Sequence, residues 1–422
     1  MTTPAPQLDQ PTLGDLYAHP SSSSPPKPAH FSLEKAIRKN VLALLPYRCA
    51  RDDYDQGILL DANENAIGHS LPPTQQQDGP DGSFDALDLN RYPSPTHYAI
   101  KERLCALRGV PSVHNFFLGV GSDEVIDLLF RITCIPGKDR ALVCPPTYGM
   151  YSVCAQVNDV EIVKVNLDVE DGKFRPKVDE INRTLSAAAS SPNPIKLLYL
   201  CSPGNPTGTL IPLDDVRAVL RNPDYEGLVV VDEAYIDFGE DKDSAVRLLV
   251  DEGWDNLVVM QTLSKGMGLA GIRMGIAISS PPLIQVLNNI KAPYNISTPT
   301  ATLALRALSP EGIALFKRNI ATLLSNRTWL SSALEALSPG VVRILGAPDA
   351  NFLLAQIGAA DGSLKPDNER AKAAYLHLAE TDHVVVRFRG NEYGCEACLR
   401  ITVGTRDECE RVVERLKAFL QV

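Results

Sequence analysis

A chain of 422 residues with 44% hydrophobic and 22% charged content can bury a large core, and the usual domain size predicts two or three domains. A formal charge of −10 excludes nucleic acid or an anionic membrane as a general partner, so an anionic ligand must be met by positive charge concentrated at its site. Nine scattered cysteines form no disulfide framework and read as reduced thiols of a cytoplasmic protein; Cys395-x-x-Cys398 has no second pair and no nearby histidine, so no metal is expected.

In chain order, residues 1–30 are rich in Pro, Ser and Gln and predict a flexible leader, without the apolar run of a signal peptide or the early arginines of an organellar presequence. No later stretch is apolar for long enough to span a membrane. Residues 31–45 predict one helix with Ser32 as N-cap, ended by Pro46. A short strand over 58–62, a loop over 70–88 and a helix from after Pro93 through Leu107 follow. From 115 to 300 apolar runs recur at 115–120, 141–144, 160–165, 195–201, 228–231, 257–260 and 272–278, continuous rather than alternating. Strands buried on both faces have this pattern, which predicts an α/β unit with a mainly parallel sheet between helices. Beyond 310, long helices over 311–337, strands at 341–345, 352–356, 384–388 and 398–403, and helices over 369–380 and 406–420 predict a smaller α+β unit. The expected division is a leader of 1–30, a large domain of 68–310, and a small domain of 31–67 with 311–422.

The downstream ends of the apolar runs carry the chemistry, where open α/β sheets bind ligands. Thr262-Leu-Ser-Lys265 follows a strand and is trailed by glycines and Arg273. A desolvated lysine there becomes a nucleophile toward an aldehyde, and Ser264 and Arg273 suit an anionic group on the same ligand, as in pyridoxal phosphate. Gly121-Ser122-Asp123 opens an amphipathic helix; its first-turn N–H groups make either an anion site or a capped N-terminus. Tyr148 leaves a strand through a proline turn, and its face suits a flat heterocycle or the core. Asn205 stands in Asn-Pro-Thr-Gly, where it can present an amide. Asp232 ends a fully apolar strand, a costly place for a carboxylate unless a cation such as a pyridinium answers it, or unless it caps a helix. Tyr235, three residues on, can reach the ring hydroxyl.

Taken together, these residues occur in the order seen in fold-type I pyridoxal-phosphate aminotransferases. More narrowly, Leu45-Pro-Tyr-Arg, Asp61-Ala-Asn-Glu-Asn, Asn90-Arg-Tyr-Pro, Pro145-Pro-Thr-Tyr-Gly-Met-Tyr, Thr262-Leu-Ser-Lys, Ala292-Pro-Tyr-Asn, Val384-Val-Val-Arg-Phe-Arg-Gly and Leu399-Arg-Ile-Thr-Val-Gly-Thr resemble the histidinol-phosphate aminotransferase family, from about residue 35 to the end. The resemblance implies that Lys265 carries pyridoxal 5′-phosphate covalently and moves the substrate proton. It implies that Asp232 pairs with the ring nitrogen, Tyr235 and Asn205 with the ring oxygen, and that Tyr148 stacks on the ring. Gly121, Ser122, Asp123, Ser264 and Arg273 would hold the phosphate. Tyr92 would reach the phosphate of a neighbouring subunit, so a homodimer with shared sites is expected. Arg400 and its companion Arg387 would clamp the substrate anion, with Tyr47 and Asn63 near the substrate. The implied reaction is ping-pong amino transfer between L-histidinol phosphate and 2-oxoglutarate in histidine biosynthesis. A broad aromatic aminotransferase or a threonine-phosphate decarboxylase would share the cofactor residues and differ in the substrate pocket. The chain departs from many members of the family at Gly204, Gly266 and Gly268.

Overall fold

The computed structural model describes residues 27–45, 62, 64–65 and 87–422. The expected leader up to residue 26, most of the strand over 58–62, the loop through 86, and the site candidates Tyr47 and Asn63 lie outside the described residues.

Seven strands build the large sheet: β1 (Phe116–Val120), β2 (Arg140–Val143), β3 (Glu161–Lys164), β4 (Ile195–Cys201), β5 (Leu228–Asp232), β6 (Leu257–Thr262) and β7 (Met274–Ile278), in the order β1-β7-β6-β5-β4-β2-β3. Strands β2 to β6 run parallel, while β7 is antiparallel to both β1 and β6. Successive side chains of a strand point to opposite faces, and here each face meets its own core. Leu198, Val229, Val231 and Val259 enter one cluster; Leu197, Tyr199, Leu228, Val230, Val258 and Met260 enter the other. Burial on both sides is why these runs are continuously apolar.

Helices cover both faces: α1 (Leu33–Ala36), α2 (Lys39–Leu42), α3 (Tyr98–Arg108), α4 (Gly121–Thr133), α5 (Met150–Val157), α6 (Val178–Ala189), α7 (Leu213–Leu220), α8 (Val246–Glu252), α9 (Pro281–Ile290) and α10 (Thr298–Ala307). Val125, Ile126, Leu129 and Phe130 of α4 pack on one face; Ile181 and Leu185 of α6 and Val216 and Leu220 of α7 pack on the other.

A second sheet combines β8 (Val341–Leu345), β9 (Phe352–Ile357), β10 (Arg387–Phe388) and β11 (Cys398–Thr402) in the antiparallel order β10-β11-β9-β8. It is backed by α11 (Pro310–Glu335), α12 (Asn368–Glu380) and α13 (Arg406–Leu420). Tyr235 and Phe238, just past β5, pack with Ile320, Ala350 and Phe352 and so join this sheet to the large one beside the strand ends.

Three local expectations are corrected. The helix expected over 31–45 is two short helices, because Ile37 and Arg38 are extended between them, and Ser32 makes no side-chain cap bond. Phe31, Leu33, Ala36, Ile37 and Val41, assigned to the small unit from sequence, pack into the core that α4 shares with the large sheet. The strand expected over 384–388 pairs only at Arg387 and Phe388, because the Val384 N–H turns back to the Leu378 carbonyl at 2.8 Å.

Candidate active site

Parallel β4, β5 and β6 end side by side. Cys201 lies opposite Asp232 and Asp232 opposite Met260, so the exits toward Asn205, Tyr235 and Lys265 open into one crevice. A pocket there is lined by Ser122, Asp123, Tyr148, Asn205, Asp232, Tyr235, Ser264, Lys265 and Arg273, joined by Cys201, Ala234, Thr262 and Ala270.

Its deep wall is an anion cradle built by close backbone approach. The Gly121 N–H donates to the Arg273 carbonyl at 3.0 Å. A Cβ on Gly275 would lie 2.3 Å from the Gly121 carbonyl carbon and 2.4 Å from the Ser122 nitrogen. Gly121 has φ of +74°, a left-handed conformation that only glycine adopts freely. The first turn of α4 has no side-chain cap, its Val120 N–H being taken by the Glu124 carboxylate. Such a turn directs N–H groups and the positive end of the helix dipole at a ligand. Arg273 Nη2 donates to Asp123 Oδ2 at 3.3 Å, and the Ser264 N–H donates to Thr262 Oγ1 at 3.1 Å, bringing a guanidinium and two hydroxyls to the same corner.

At the other end stands a buried carboxylate. Asp232 is 3% exposed; Oδ2 accepts from the Tyr151 hydroxyl at 2.6 Å and Oδ1 from the Ala234 N–H at 3.2 Å. Burial pushes its carboxyl above the usual carboxylate range, opposed first by the Tyr151 hydrogen bond. Tyr151 is itself wedged against Tyr199, their rings stacked at 4.5 Å. Tyr148 meets Tyr151 edge-on at 5.7 Å and donates to Asp123 Oδ1 at 3.2 Å. Burial raises the hydroxyl pKa of Tyr148, Tyr151 and Tyr235, keeping them protonated donors, and pushes the Cys201 thiol up to about 12.

Between the two ends sits Lys265, its Nζ 5.7 Å from the Tyr235 ring centroid. Partial burial, then the cations Arg400 and Arg273, hold its amine below the usual lysine range, which favours the nucleophilic form. Arg400 reaches in from β11, donates to Asn205 Oδ1 and lies 5.3 Å from the Phe352 ring; its Nε is buried without a partner. An amine, a buried carboxylate and an anion cradle thus face one cavity, with the Arg400 guanidinium behind its Asn205 wall.

Residues 55–416 match the family described as aminotransferase class I and II. The chain belongs to that family. A histidinol-phosphate aminotransferase of Schizosaccharomyces pombe is 46% identical over 398 residues, spanning 93% of this chain and 98% of that relative. One of Candida maltosa is 46% identical over 401 residues, 92% of this chain and 98% of the relative. Among solved structures, histidinol-phosphate aminotransferase from Sinorhizobium meliloti in complex with pyridoxal-5'-phosphate shares the fold, with a TM-score of 0.68 at 21% identity over 85% of this chain and 90% of the other. The fold is that of the fold-type I transferases.

In this aminotransferase the pocket gathers the residues singled out from the strand exits. Arg400 touches its rim through Asn205. Tyr92 lies outside it, 53% exposed and stacked on Tyr294 at 4.6 Å. Arg387 is exposed on β10 opposite Arg400. Sequence reasoning passed over Tyr151, whose hydroxyl holds Asp232, although it stands in the quoted Pro-Pro-Thr-Tyr-Gly-Met-Tyr run. It also passed over Glu233, buried behind Asp232 and accepting from Ser244 Oγ at 2.7 Å and Gln261 Nε2 at 2.8 Å. The signal for Glu233 was present: a second carboxylate at the end of an apolar strand needs donors of its own. No group of three or more potential metal ligands occurs among the described residues, and none of their helices is long and apolar enough to cross a membrane.

Proposed function

We propose that this aminotransferase transfers the amino group of L-histidinol phosphate to 2-oxoglutarate, giving imidazole acetol phosphate and glutamate, in L-histidine biosynthesis, with pyridoxal 5′-phosphate as cofactor. The observation that carries the reading is the 46% identity, over 93% of the chain, to a relative named for that activity.

The residues present fit the cofactor. The close packing of Gly275 on Gly121, which leaves no room for a Cβ, sets the uncapped first turn of α4 beside Ser264 and Arg273, and its bare N–H groups suit a phosphate. The buried Asp232 carboxylate suits a protonated ring nitrogen, and Lys265 has the depressed basicity needed to attack an aldehyde. Bound there, pyridoxal phosphate supplies the aldehyde that takes the amino group and the protonated ring that accepts the electrons of the breaking C–H bond. Gly121, Ser122, Asp123, Ser264 and Arg273 hold the phosphate. Asp232 keeps the proton on the ring nitrogen, and Tyr235 and Asn205 hydrogen-bond the ring oxygen. Tyr148 packs on the ring face. Lys265, whose amine burial and neighbouring cations hold below the usual lysine range, would carry the cofactor and serve at Nζ as the base for the substrate proton. Arg400, with Arg387, Tyr47 and Asn63, binds the substrate; guanidinium donors serve phosphate and carboxylate alike, which a ping-pong cycle with both requires.

The enzyme acts as a cytoplasmic homodimer, built from a large domain of 68–310 and a small one of the remainder beyond 30, apart from the N-terminal stretch that packs on the large sheet. Exposed Tyr92, outside its own pocket, supports its reaching a second copy's phosphate, and eight free cysteines among the described residues support a reducing compartment. The test is a single turnover of holoenzyme with L-histidinol phosphate, following cofactor absorbance. A band shift reversed by 2-oxoglutarate is expected. An unmoved spectrum, with a response to aromatic amino acids or carbon dioxide release from threonine phosphate, would replace the substrate assignment.

A further inference from the structure

Tyr92 stands in backbone that no ladder holds, residues 91–97 belonging to no helix or strand. Pro93 follows it and has no N–H to give. A half-exposed tyrosine on such a segment meets a fixed point outside its own pocket only at the cost of ordering the chain, unless that order is already built in.

The structure builds it in from two sides. Glu64 accepts from the Tyr92 N–H at Oε1, 2.6 Å away, and from Arg91 Nη1 at Oε2, 2.8 Å away. The Glu64 side chain is 4% exposed against 32% for Arg91, so the carboxylate is the fixed member of the pair, and a buried carboxylate is costly without its donors. Beside it, Asn90 Nδ2 donates to the Asn65 carbonyl at 3.0 Å. On the far side Tyr294 stacks on the Tyr92 ring at 4.6 Å, and Lys291 Nζ donates to the Pro95 carbonyl at 2.9 Å. Asn295 Nδ2 ties that side to the large sheet, donating to the Leu118 carbonyl of β1 and to Glu124 Oε2, each at 3.0 Å. Three sequence motifs, Asp61-Ala-Asn-Glu-Asn, Asn90-Arg-Tyr-Pro and Ala292-Pro-Tyr-Asn, thus meet around Tyr92. Their tasks differ. Tyr294 and Lys291 hold the ring and the turn beyond it, whereas Glu64 takes the backbone N–H of Tyr92 itself.

We propose that Glu64 is a positioning residue of a shared site: its buried carboxylate fixes the Tyr92 backbone, so that the tyrosine is presented to the cofactor phosphate of a second copy already ordered. The inference rests on the reading that Tyr92 serves the neighbouring subunit. In this role Glu64 acts through Tyr92 and needs no contact of its own with the cofactor.

The test follows the rate at which diluted holoenzyme releases pyridoxal phosphate, read by absorbance. Tyr92→Phe should speed release roughly 10-fold or more, the effect of one lost hydrogen bond to a charged group. Glu64→Ala should speed it to a similar extent, and adding Glu64→Ala to Tyr92→Phe should speed it no further. Glu64→Gln keeps an acceptor for the Tyr92 N–H but not its charge; it should speed release a few-fold, and again not at all once Tyr92 is replaced. That variant carries the test should Glu64→Ala fail to fold. The phosphorus chemical shift of bound cofactor should move in the same direction in Tyr92→Phe and in Glu64→Ala. A general loosening of the fold would instead add to the effect of Tyr92→Phe. Additive effects in the double variants, or release unchanged by either Glu64 substitution, would overturn the proposal while Tyr92→Phe still spoke for a shared site. Failure of the shared-site reading looks different: Tyr92→Phe itself would leave release and the phosphorus shift unaltered, and the role of Glu64 would fall with it.

Discussion

Tyr151→Phe isolates the contribution of one buried hydroxyl to the cofactor site. The hydroxyl donates to Asp232 Oδ2 at 2.6 Å, both residues are buried, and without it Asp232 keeps only the longer bond from the Ala234 N–H at 3.2 Å. A hydrogen bond to a charged group contributes about 1.5–3 kcal/mol. Burial already raises the Asp232 carboxyl, and the Tyr151 bond is the foremost influence holding it down. Its loss should therefore push the Asp232 carboxyl further up. With the cofactor held as proposed, a more basic Asp232 would compete with the ring nitrogen for its proton, which would weaken the ring as an electron acceptor. We expect kcat to fall about 10- to 100-fold, the rate equivalent of losing that hydrogen bond, with KM little changed. The nitrogen chemical shift of ring-labelled cofactor should move toward the neutral pyridine value. The substitution keeps the ring and its stack on Tyr199 at 4.5 Å. A lower melting temperature with unchanged kcat and unchanged nitrogen shift would refute the argument and leave Tyr151 as packing.

Lys265→Ala should abolish turnover and the absorbance of the covalently held cofactor; normal turnover would remove the lysine from the chemistry. Gly275→Ala drives a methyl group to within 2.3 Å of Gly121 backbone, and overpacking of this kind costs about 1–3 kcal/mol. Cofactor affinity, measured by equilibrium dialysis, should drop tenfold or more, and an unaltered dissociation constant would place the phosphate elsewhere. Glu233 gives a pH prediction: burial raises its carboxyl from 4.5 to about 7. A folded-state pKa above the unfolded value means stability that is fully present below pH 4.5 and lost as pH rises through 7. Relative to Glu233→Gln, wild type should therefore lose stability between pH 5 and 8, by about 3 kcal/mol at most; parallel denaturation midpoints for the two proteins would show that Glu233 does not titrate there.

The fold was legible where burial left a two-sided signature. Leu228 to Val231 are apolar at every position because each face of β5 meets a separate core, and that pattern has few other readings. The site was legible where a polar residue interrupts such a run, as Asp232 does. Direction was harder to read. The stretch from Ile272 to Ile278 looks like the other strands, yet Arg273 takes a left-handed φ of 54° and the strand starting at Met274 runs antiparallel to both neighbours. Such a reversal is set by the turn from Ala270 to Ile272, whose composition does not announce it. The break between α1 and α2 was hidden for a related reason. Apolar spacing continues through Ile37, but the Arg38 N–H is taken by the Ile132 carbonyl of α4 at 2.8 Å, a tertiary bond that local pattern does not encode.

Gly266 shows how a departure from the family pattern acquires a physical reason. A Cβ at that position would lie 2.3 Å from Asp237 Oδ2, so the residue after Lys265 must be bare for Asp237 to sit where it does. Asp237 is fixed there by Arg108 at the end of α3, Nη2 to Oδ1 at 2.7 Å, with side-chain exposures of 11% and 4%. A buried ion pair is costly to break once formed, so the position of the carboxylate is firmer than that of the turn it touches. Asp237 lies two residues beyond Tyr235, in the short helix from Ile236 to Phe238 that follows β5. The strand that delivers Asp232 and the turn that delivers Lys265 are therefore braced against each other through one contact. A larger residue at 266 has to displace either the ion pair or the lysine. This chain keeps both by giving up the side chain.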